Sequence, residues 1–360
     1  MFLKTFFIAC IGISSLLLGD DPAPFAHTIP VVDLADFHNP ETKDRFVQEV
    51  AKAMHEVGFF GVLHPEIDRD TLNAAYCASA QFYSSPQELK NTLCDPLLNG
   101  QRGYVKSEIA QGNTVLDFKE FCHFGKTKNL WPTWMDMQTS MENLMAVLDK
   151  NAEILDRAFA LALGLDEEYF VSMTKEGECL LRPIHYPPNP APGYVWAAKH
   201  TDIDFFTILP MATEEGLQVF HNGEWIDVRV PENAFIINCG DKLQNLSNGY
   251  FKSSVHQVMA KPNVERYSIV YFVHPKDNDD MTPIPEAIAL TGGVQGYPEA
   301  TSLELLASRL RELGLASPDL LQFEKDSGIM DRIQTLVESG NAAEPVELTY
   351  SIWQKQKDAS

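Results

Sequence analysis

Three side chains that could take part in metal chemistry stand at alternate positions in the segment WAAKHTDIDFFTILP, residues 196–210: His200, Asp202 and Asp204. The segment then becomes apolar, which predicts a strand that enters the hydrophobic core. Burying an unpaired carboxylate costs several kcal/mol, so such a cluster is either ion-paired or holds a metal. Residues two apart in a strand share one face, about 6.5–7 Å apart, so His200 and Asp202 can reach one ion. His200 and Asp204 would be roughly 13 Å apart and are the poorer chelating pair. Asp204 is expected to be a supporting neighbour.

A third ligand has to come from a distant segment, and the candidate is His256 in KSSVHQVMA, a single polar ring in a strand-like segment. Two histidines and a carboxylate form the facial arrangement of non-haem Fe(II) oxygenases, which leaves three metal positions open. Open positions distinguish a catalytic metal site from a closed structural one. Taken alone, each motif also has a simpler interpretation, such as a salt-bridged strand end.

A candidate anion receptor follows His256 in the sequence. Arg266 and Ser268 share a strand face by the same period of two, and a guanidinium beside a hydroxyl can bind a carboxylate. An ordinary surface arginine on a strand is the alternative interpretation.

Hydrophobic periodicity predicts the elements that must position these residues. Asn39 is a candidate N-cap and Pro40 a candidate first residue of a helix, and further helices are expected at 68–83, 85–93, 138–163, 166–174 and 301–314. From Cys179 onward, seven strand-like segments follow at close intervals with turn signals between them. Such a succession predicts a sandwich or barrel of the jelly-roll kind.

Composition limits the function classes. The chain has 360 residues, of which 45% are hydrophobic, so it can bury a substantial core as one large domain or two modest ones. Its formal net charge of −22 and pI near 4.8 repel nucleic acid phosphates and anionic membrane surfaces. We therefore expect no nucleic-acid partner and no strong membrane association beyond the N-terminal leader.

The first residues predict a hydrophobic leader over 1–26, because one early lysine is followed by an apolar run at 6–18. This order is typical of a signal peptide and favours export or anchoring, with a buried or irregular extension as the alternative. Of the six cysteines, Cys10 lies in the leader, and the other five are widely spaced, without a C-x-x-C pair, which indicates free, mostly buried thiols. The thiols favour a cytoplasmic location instead.

The order H-x-D, His256 and R-x-S resembles the isopenicillin N synthase-like family of Fe(II)/2-oxoglutarate-dependent oxygenases. The resemblance runs from about residue 29 to 275 and includes, in family order, IPVVDL, GFFGVLH, RGYV, LDFKEFCHFG, HYPP, GLQVF, NCGDKLQNLSNG and KSSVHQV. It implies an α+β fold, a double-stranded β-helix (jelly-roll) core flanked by helices. We divide the chain into the leader at 1–26, an N-terminal helical and strand region at 27–178, the jelly-roll core at 179–280 and a C-terminal helical region at 281–360.

The resemblance also implies roles for six residues. They are the iron ligands and catalytic residues His200, Asp202 and His256, the residues for the far carboxylate of 2-oxoglutarate, Arg266 and Ser268, and the co-substrate contact Tyr186. The family frequently has an asparagine two positions before that tyrosine. This chain has Ile184 there, so one expected polar contact to 2-oxoglutarate is missing.

The implied enzyme consumes O2 and 2-oxoglutarate and hydroxylates, desaturates or cyclises a small organic molecule through a ferryl intermediate. Two alternatives stay open: a 2-oxoglutarate-independent oxidase of the isopenicillin N synthase type, which also has Arg-x-Ser, and a non-catalytic binding protein on the same fold. Segments 102–105 and 118–124 are expected at the mouth of the site. Within them, Lys119 and His123 are either substrate contacts or structural and exposed residues. No motif selects a substrate or an oligomeric state.

Overall fold

The computed structural model describes residues 28–98, 100–107, 117–190 and 194–358, so the leader predicted at 1–26 lies outside the described residues. Within the described part of the chain, no helix is both long enough and apolar enough to cross a bilayer. The five cysteines of that part form no disulfide, as predicted, and Cys122, Cys179 and Cys239 are buried.

Strands in the described residues form two sheets. They are β1 (Val31–Asp33), β2 (Phe59–Leu63), β3 (Gly103–Val105), β4 (Glu120–Gly125), β5 (Leu180–Tyr186), β6 (Ala197–His200), β7 (Phe206–Leu209), β8 (Leu217–His221), β9 (Glu224–Asp227), β10 (Phe235–Cys239), β11 (His256–Val258) and β12 (Arg266–Val273). The large sheet has the order β1-β2-β10-β7-β12-β5-β4-β3, and the small sheet the order β6-β11-β8-β9. Strands β1 and β2 pair in parallel and the other pairs are antiparallel.

Helices surround these sheets. They are α1 (Ala35–His38), α2 (Lys43–Glu56), α3 (Arg69–Tyr83), α4 (Gln87–Asn91), α5 (Gln138–Ala162), α6 (Val171–Thr174), α7 (Asp241–Leu246), α8 (Pro285–Leu290), α9 (Ser302–Glu312), α10 (Pro318–Ser327), α11 (Ile329–Glu338) and α12 (Glu344–Asp358). The periodic segments predicted as helices at 68–83, 138–163 and 301–314 correspond to α3, α5 and α9.

The predicted start of the first long helix is wrong. Asn39 ends α1, and its side-chain oxygen accepts a hydrogen bond of 3.0 Å from the backbone N–H of Glu41. Helix α2 begins only at Lys43, after Thr42. An asparagine that binds a backbone N–H two residues later forms a local turn, which competes with the capping role that its type suggests.

Alternation along the strands of the large sheet creates two cores. In β2, Phe60 packs in the outer core with Phe46 of α2 and Phe159 of α5, whereas its neighbour Phe59 packs in the inner core between the two sheets. The inner core also takes Phe121 from β4 and Val219 from β8. Because successive strand residues point to opposite faces, one set of residues binds the helices and the other faces the small sheet. Tyr186, Arg266 and Ser268 lie in this second set, whereas His200 and His256 belong to the small sheet.

The backbone at Gly240 lies in close contact with Asp204. A Cβ at residue 240 would lie 2.1 Å from Asp204 Oδ1 and 2.2 Å from the Asp204 carbonyl oxygen. We expect Gly240→Ala to push Asp204 aside and to lower the free energy of unfolding by about 1–3 kcal/mol. The matched control is Gly296→Ala, whose Cβ would meet its nearest neighbour at 3.5 Å. Urea titration of both variants checks this, and equal unfolding free energies would show that the contact relaxes without cost.

Candidate metal centre and substrate cavity

Two strand ends place the candidate histidines side by side. Strand β6 ends at His200, β11 begins at His256, and these two residues are direct partners in the antiparallel register. One ligand atom each from His200, Asp202 and His256 lie within 4.8 Å of one another. Asp202 Oδ1 is 3.6 Å from His200 Nε2, and Asp202 Oδ2 is 3.7 Å from His256 Nε2.

The expectation that His200 and Asp202 belong to one strand is wrong. Strand β6 stops at His200, and Asp202 lies in the irregular segment before β7. Its backbone oxygen accepts a 2.8 Å hydrogen bond from the N–H of Asp241. The two side chains therefore converge in an irregular segment after the strand, and not because of the period of a strand.

Backbone carbonyls fix the orientation of both imidazole rings. His200 Nδ1 is 2.7 Å from the carbonyl oxygen of Ala198, and His256 Nδ1 is 3.1 Å from that of Ser254. A carbonyl oxygen only accepts, so each Nδ1 carries the proton and donates it. Each Nε2 then has its lone pair toward Asp202, as in a histidine prepared to bind a metal.

The charges of the cluster suit a divalent transition metal. Burial raises the pKa of Asp202, but His256, His200 and hydrogen bonds from Asn238 and Thr207 outweigh it and lower that pKa to about 2. Burial and the neighbouring His256 lower the pKa of His200 to about 3. At neutral pH the cluster therefore offers a carboxylate and a neutral imidazole, which is suitable donor chemistry for Fe(II).

Asp204 supports Asp202 through Thr207. The Thr207 hydroxyl is 2.8 Å from Asp202 Oδ2 and 2.8 Å from Asp204 Oδ2, yet it has one proton to donate. Burial and the charge of Asp202 raise the pKa of Asp204 well above its usual range. A protonated Asp204 can donate to the hydroxyl, which then donates to the ionised Asp202.

The low pKa of His200 makes the stability of the metal-free protein depend on pH. Unfolding restores the usual pKa of 6.5. Between about pH 6.5 and pH 3, His200 is therefore protonated in the unfolded chain but neutral in the folded chain. Stability is complete above pH 6.5 and falls as the pH drops through this window. Between about pH 6.5 and 5, we expect the free energy of unfolding of the wild type to fall by about 1 kcal/mol more than that of His200→Gln. The difference is no larger because the His200 side chain is 25% exposed and solvent weakens the effect. Urea unfolding with EDTA measures this difference, and parallel losses would contradict it.

The candidate anion receptor lies on the inner face of the large sheet. Tyr186 and Arg266 are direct partners across β5 and β12, and so are Ile184 and Ser268. Arg266 is 2% exposed, its Nε donates to the Glu214 carbonyl at 2.9 Å, and its guanidinium lies 4.8 Å from the centre of the Tyr186 ring.

Two buried polar atoms of this receptor fit a carboxylate. Arg266 Nη1 and Ser268 Oγ are buried and have no hydrogen-bond partner within the described residues. A buried donor without a partner costs about 1–3 kcal/mol, more for a charged group, and a bound carboxylate would remove that cost. Ile184, which stands where a polar contact was expected, packs in the apolar core between the sheets.

A cavity of about 360 Å³ opens onto His200 and Asp202. Both segments predicted at the mouth contribute residues to its lining. Lining residues from them are Arg102, Val105, Lys119, Phe121 and His123, whereas Tyr104 and Phe124 point into the outer core. Lys119, Phe121 and His123 alternate with the period of two of strand β4, whereas Arg102 precedes β3 and does not follow that period.

Lys119 and His123 are buried and structurally engaged. Lys119 Nζ donates to Asp117 Oδ2 at 2.9 Å, and His123 Nδ1 is 2.8 Å from the carbonyl oxygen of Gly100. Both side chains nevertheless border the cavity. Of the interpretations offered by the sequence, exposure is therefore wrong, structural pairing is observed, and the position of both residues at the cavity remains compatible with substrate contact.

Sequence reasoning missed the C-terminal wall of the cavity. Leu306, Arg309 and Leu310 of α9 line it, and Arg309 forms an ion pair with Asp241 and lies 3.3 Å from Thr201 Oγ1. Thr201 stands between two candidate ligands in the chain. The available signal was the amphipathic helix at 301–314, whose leucines recur at intervals of three and four.

The chain matches two protein-family models and several known proteins. Residues 177–275 match the 2OG-Fe(II) oxygenase superfamily, and residues 29–142 match the family described as non-haem dioxygenase in morphine synthesis, N-terminal. The 1-aminocyclopropane-1-carboxylate oxidase 5 of Arabidopsis thaliana is 32% identical over 285 residues, which cover 75% of this chain and 90% of that protein. The 2-oxoglutarate-Fe(II) type oxidoreductase hxnY of Emericella nidulans is 29% identical, with 68% and 78% covered.

Solved structures agree with the fold. A full-length Neurospora crassa protein in complex with alpha-KG superposes with a TM-score of 0.72 at 28% identity, covering 79% of this chain and 96% of that one. JOX2 in complex with 2OG, Fe and JA gives a TM-score of 0.68 at 26% identity, with 79% and 84% covered. The predicted α+β fold with a double-stranded β-helix core is therefore confirmed.

The chain belongs to the 2-oxoglutarate/Fe(II) oxygenase family, and it is an oxidoreductase that uses Fe(II), 2-oxoglutarate and O2 to act on a small molecule. This result confirms the predicted activity and cofactors.

Proposed function

We propose that six residues carry this activity: His200, Asp202 and His256 hold Fe(II), and Arg266, Ser268 and Tyr186 hold 2-oxoglutarate. The observation that carries the proposal is the convergence of the first three residues, with ligand atoms within 4.8 Å of one another, beside a cavity. The buried Arg266 Nη1 and Ser268 Oγ support the second group, because both can bond a carboxylate.

The protein residues in this proposal place the reactants and control their charges. Two Nε2 lone pairs and one carboxylate oxygen would hold Fe(II), beside the cavity that His200 and Asp202 line. Arg266 neutralises the far carboxylate of 2-oxoglutarate and fixes its direction. Bound iron supplies O2 activation coupled to decarboxylation of 2-oxoglutarate to succinate and CO2.

Apolar residues of the cavity limit the access of water to the reacting centre. Phe121, Leu180 and Phe272 form this part of the wall on the large sheet, and Leu306 and Leu310 face the cavity from α9. Exclusion of water strengthens the electrostatic interactions at the centre and protects reactive species from side reactions. Hydroxylation, desaturation and cyclisation are the reactions that this arrangement can support.

The three regions of the chain after the leader each supply part of the proposed site. In this proposal the jelly-roll core at 179–280 supplies the metal and 2-oxoglutarate ligands. The regions at 27–178 and 281–360 supply walls of the cavity, through Lys119 and Phe121 on one side and Arg309 on the other.

Anaerobic spectroscopy tests the proposal directly. Purified protein is loaded with Fe(II) and titrated with 2-oxoglutarate, and we expect the weak visible charge-transfer band of the iron chelate. Arg45→Gln, a substitution at an exposed arginine paired with Asp36, serves as the control and keeps the band. Iron binding without a band in the wild type would contradict the proposed 2-oxoglutarate site.

A further inference from the structure

A buried lysine and a histidine lie side by side in the wall of the cavity. His274 directly follows β12, and Lys242 belongs to α7. The backbone N–H of Phe205 donates at 2.8 Å to the carbonyl oxygen of the residue before His274. The backbone N–H of Lys242 donates at 3.1 Å to the carbonyl oxygen of Asp204. Because these bonds join both residues to the segment just after Asp202, the pair lies next to the candidate metal centre, and both side chains line the cavity.

The Lys242 side chain donates to two neutral acceptors. Lys242 is 1% exposed, and its Nζ lies 2.8 Å from Ser302 Oγ, at the first residue of α9, and 3.3 Å from His274 Nδ1. Burial lowers the pKa of Lys242 to about 8, so most of the amine is an ammonium group at neutral pH. An ammonium group only donates, and His274 Nδ1 is therefore the acceptor of this hydrogen bond.

The contact with Lys242 fixes the tautomer of the His274 ring. Burial and the charge of Lys242 lower the pKa of His274 well below its usual value, so the imidazole is neutral. A neutral imidazole has one N–H, and since Nδ1 accepts, the proton lies on Nε2. His274 Nε2 has no hydrogen-bond partner among the residues that the structure describes. Because the ring lines the cavity, this N–H is a fixed donor for a ligand there.

A neutral N–H donor in this wall fits a carbonyl oxygen. It cannot balance the charge of a buried anion, but it can bond a carbonyl oxygen, which costs far less to remove from water. The cavity volume of about 360 Å³ is at the lower end for small-molecule sites. We propose that His274 Nε2–H binds a carbonyl oxygen of a small primary substrate, and that Lys242 is a positioning residue that holds the tautomer. This inference rests on the proposed function, because that function defines the cavity as the substrate site.

The tautomer of His274 can be measured without a substrate. The protein is prepared with isotope-labelled histidine, loaded with redox-inert Zn(II) and 2-oxoglutarate, and its ring-nitrogen shifts are recorded by NMR, with His274→Leu to assign the signal. We expect the Nε2–H tautomer in the wild type and a loss of this preference in Lys242→Met, which removes the donor from a side chain of similar length. Lys261→Met, at a lysine that is 40% exposed, is the matched control. An Nδ1–H tautomer in the wild type, or an unchanged tautomer in Lys242→Met, overturns the role of Lys242.

Matched ring compounds test the carbonyl site itself. Cyclohexanone, cyclohexanecarboxamide and cyclohexane are titrated into the same complex, and ligand-observed NMR measures each affinity. We expect His274→Leu to weaken binding of the two carbonyl compounds by about 2- to 10-fold, as the loss of one neutral hydrogen bond implies, and to leave cyclohexane unchanged. His38→Leu, at a histidine that is 52% exposed, is the matched control and should change none of the affinities.

Titration of 2-oxoglutarate into the same variants separates the two proposals. We expect His274→Leu and Lys242→Met to bind 2-oxoglutarate as the wild type does. If the wild type itself does not bind 2-oxoglutarate, the proposed function fails. If 2-oxoglutarate binds but neither carbonyl compound loses affinity in His274→Leu, the carbonyl site is wrong. An equal loss for cyclohexane would show a change of cavity shape and would also overturn the assignment. Unfolding midpoints of all variants establish that each one folds.

Discussion

Asp202→Ala is expected to lose both Fe(II) binding and 2-oxoglutarate turnover. The variant keeps two neutral imidazoles but no charged ligand, and it leaves the hydrogen-bond donors of Thr207 and Asn238 without their acceptor. Loss of a residue that only orients a ligand costs about 10- to 100-fold in metal affinity, so loss of the ligand itself should exceed this range. Metal content after anaerobic desalting measures the affinity, and succinate release measures the turnover.

Two controls make the Asp202 result specific. Asp227→Ala removes a carboxylate that is 54% exposed on the edge strand β9, and it should leave iron binding and turnover unchanged. Asn238→Ala removes one hydrogen bond to Asp202 and should weaken iron binding by no more than about 100-fold. If Asp202→Ala binds iron normally and remains active, another carboxylate must serve as the ligand.

The motif around His200 could be recognised from the sequence because its members are local. His200 and Asp202 are two residues apart, so any conformation keeps them near each other, and their types already indicate a metal site. The pair does not depend on a regular strand, since β6 ends at His200 and Asp202 lies in the irregular segment that follows. The sequence also placed Arg266 and Ser268 on one face correctly, because both lie inside the regular strand β12.

The remaining parts of the site depend on pairings that the sequence does not encode locally. Whether His256 reaches His200 is decided by the register between β11 and β6, whose segments are far apart in the chain. His274 meets Lys242 because the end of β12 and the start of α7 both bond to the segment just after Asp202. Periodicity shows which face a residue occupies, but not which strand lies beside it.

The C-terminal wall shows the same limit for a helix. The period of α9 predicts one apolar stripe, and Leu306 and Leu310 lie on it. The sequence pattern does not show what this stripe faces, which here is the cavity next to the metal centre. The ion pair between Arg309 and Asp241 fixes this docking, and neither residue has a local sequence signal for the other.

Arg266→Gln is expected to weaken 2-oxoglutarate binding by on the order of 30-fold or more, because truncating one partner of a buried charge pair costs at least about 2 kcal/mol. The effect should appear in the KM for 2-oxoglutarate and in the anaerobic titration, while kcat at saturating co-substrate falls less. Ser268→Ala removes one neutral donor and should weaken binding by about 2- to 10-fold. Arg229→Gln, at an arginine that is 48% exposed, is the control.

The Arg266 variants also test whether Arg266 and Ser268 replace the hydrogen bond to 2-oxoglutarate that Ile184 cannot make. Ile184 supplies no hydrogen bond, so in our proposal the far carboxylate depends on Arg266 and Ser268, whose buried Nη1 and Oγ are otherwise unsatisfied within the described residues. Removing the guanidinium then leaves the hydroxyl as the main donor at that end of the site. Arg266→Lys keeps the charge but loses the planar pair of donors, so it should recover only part of the affinity. Unchanged 2-oxoglutarate affinity in Arg266→Gln, with iron binding intact, would show that the far carboxylate does not bind at Arg266.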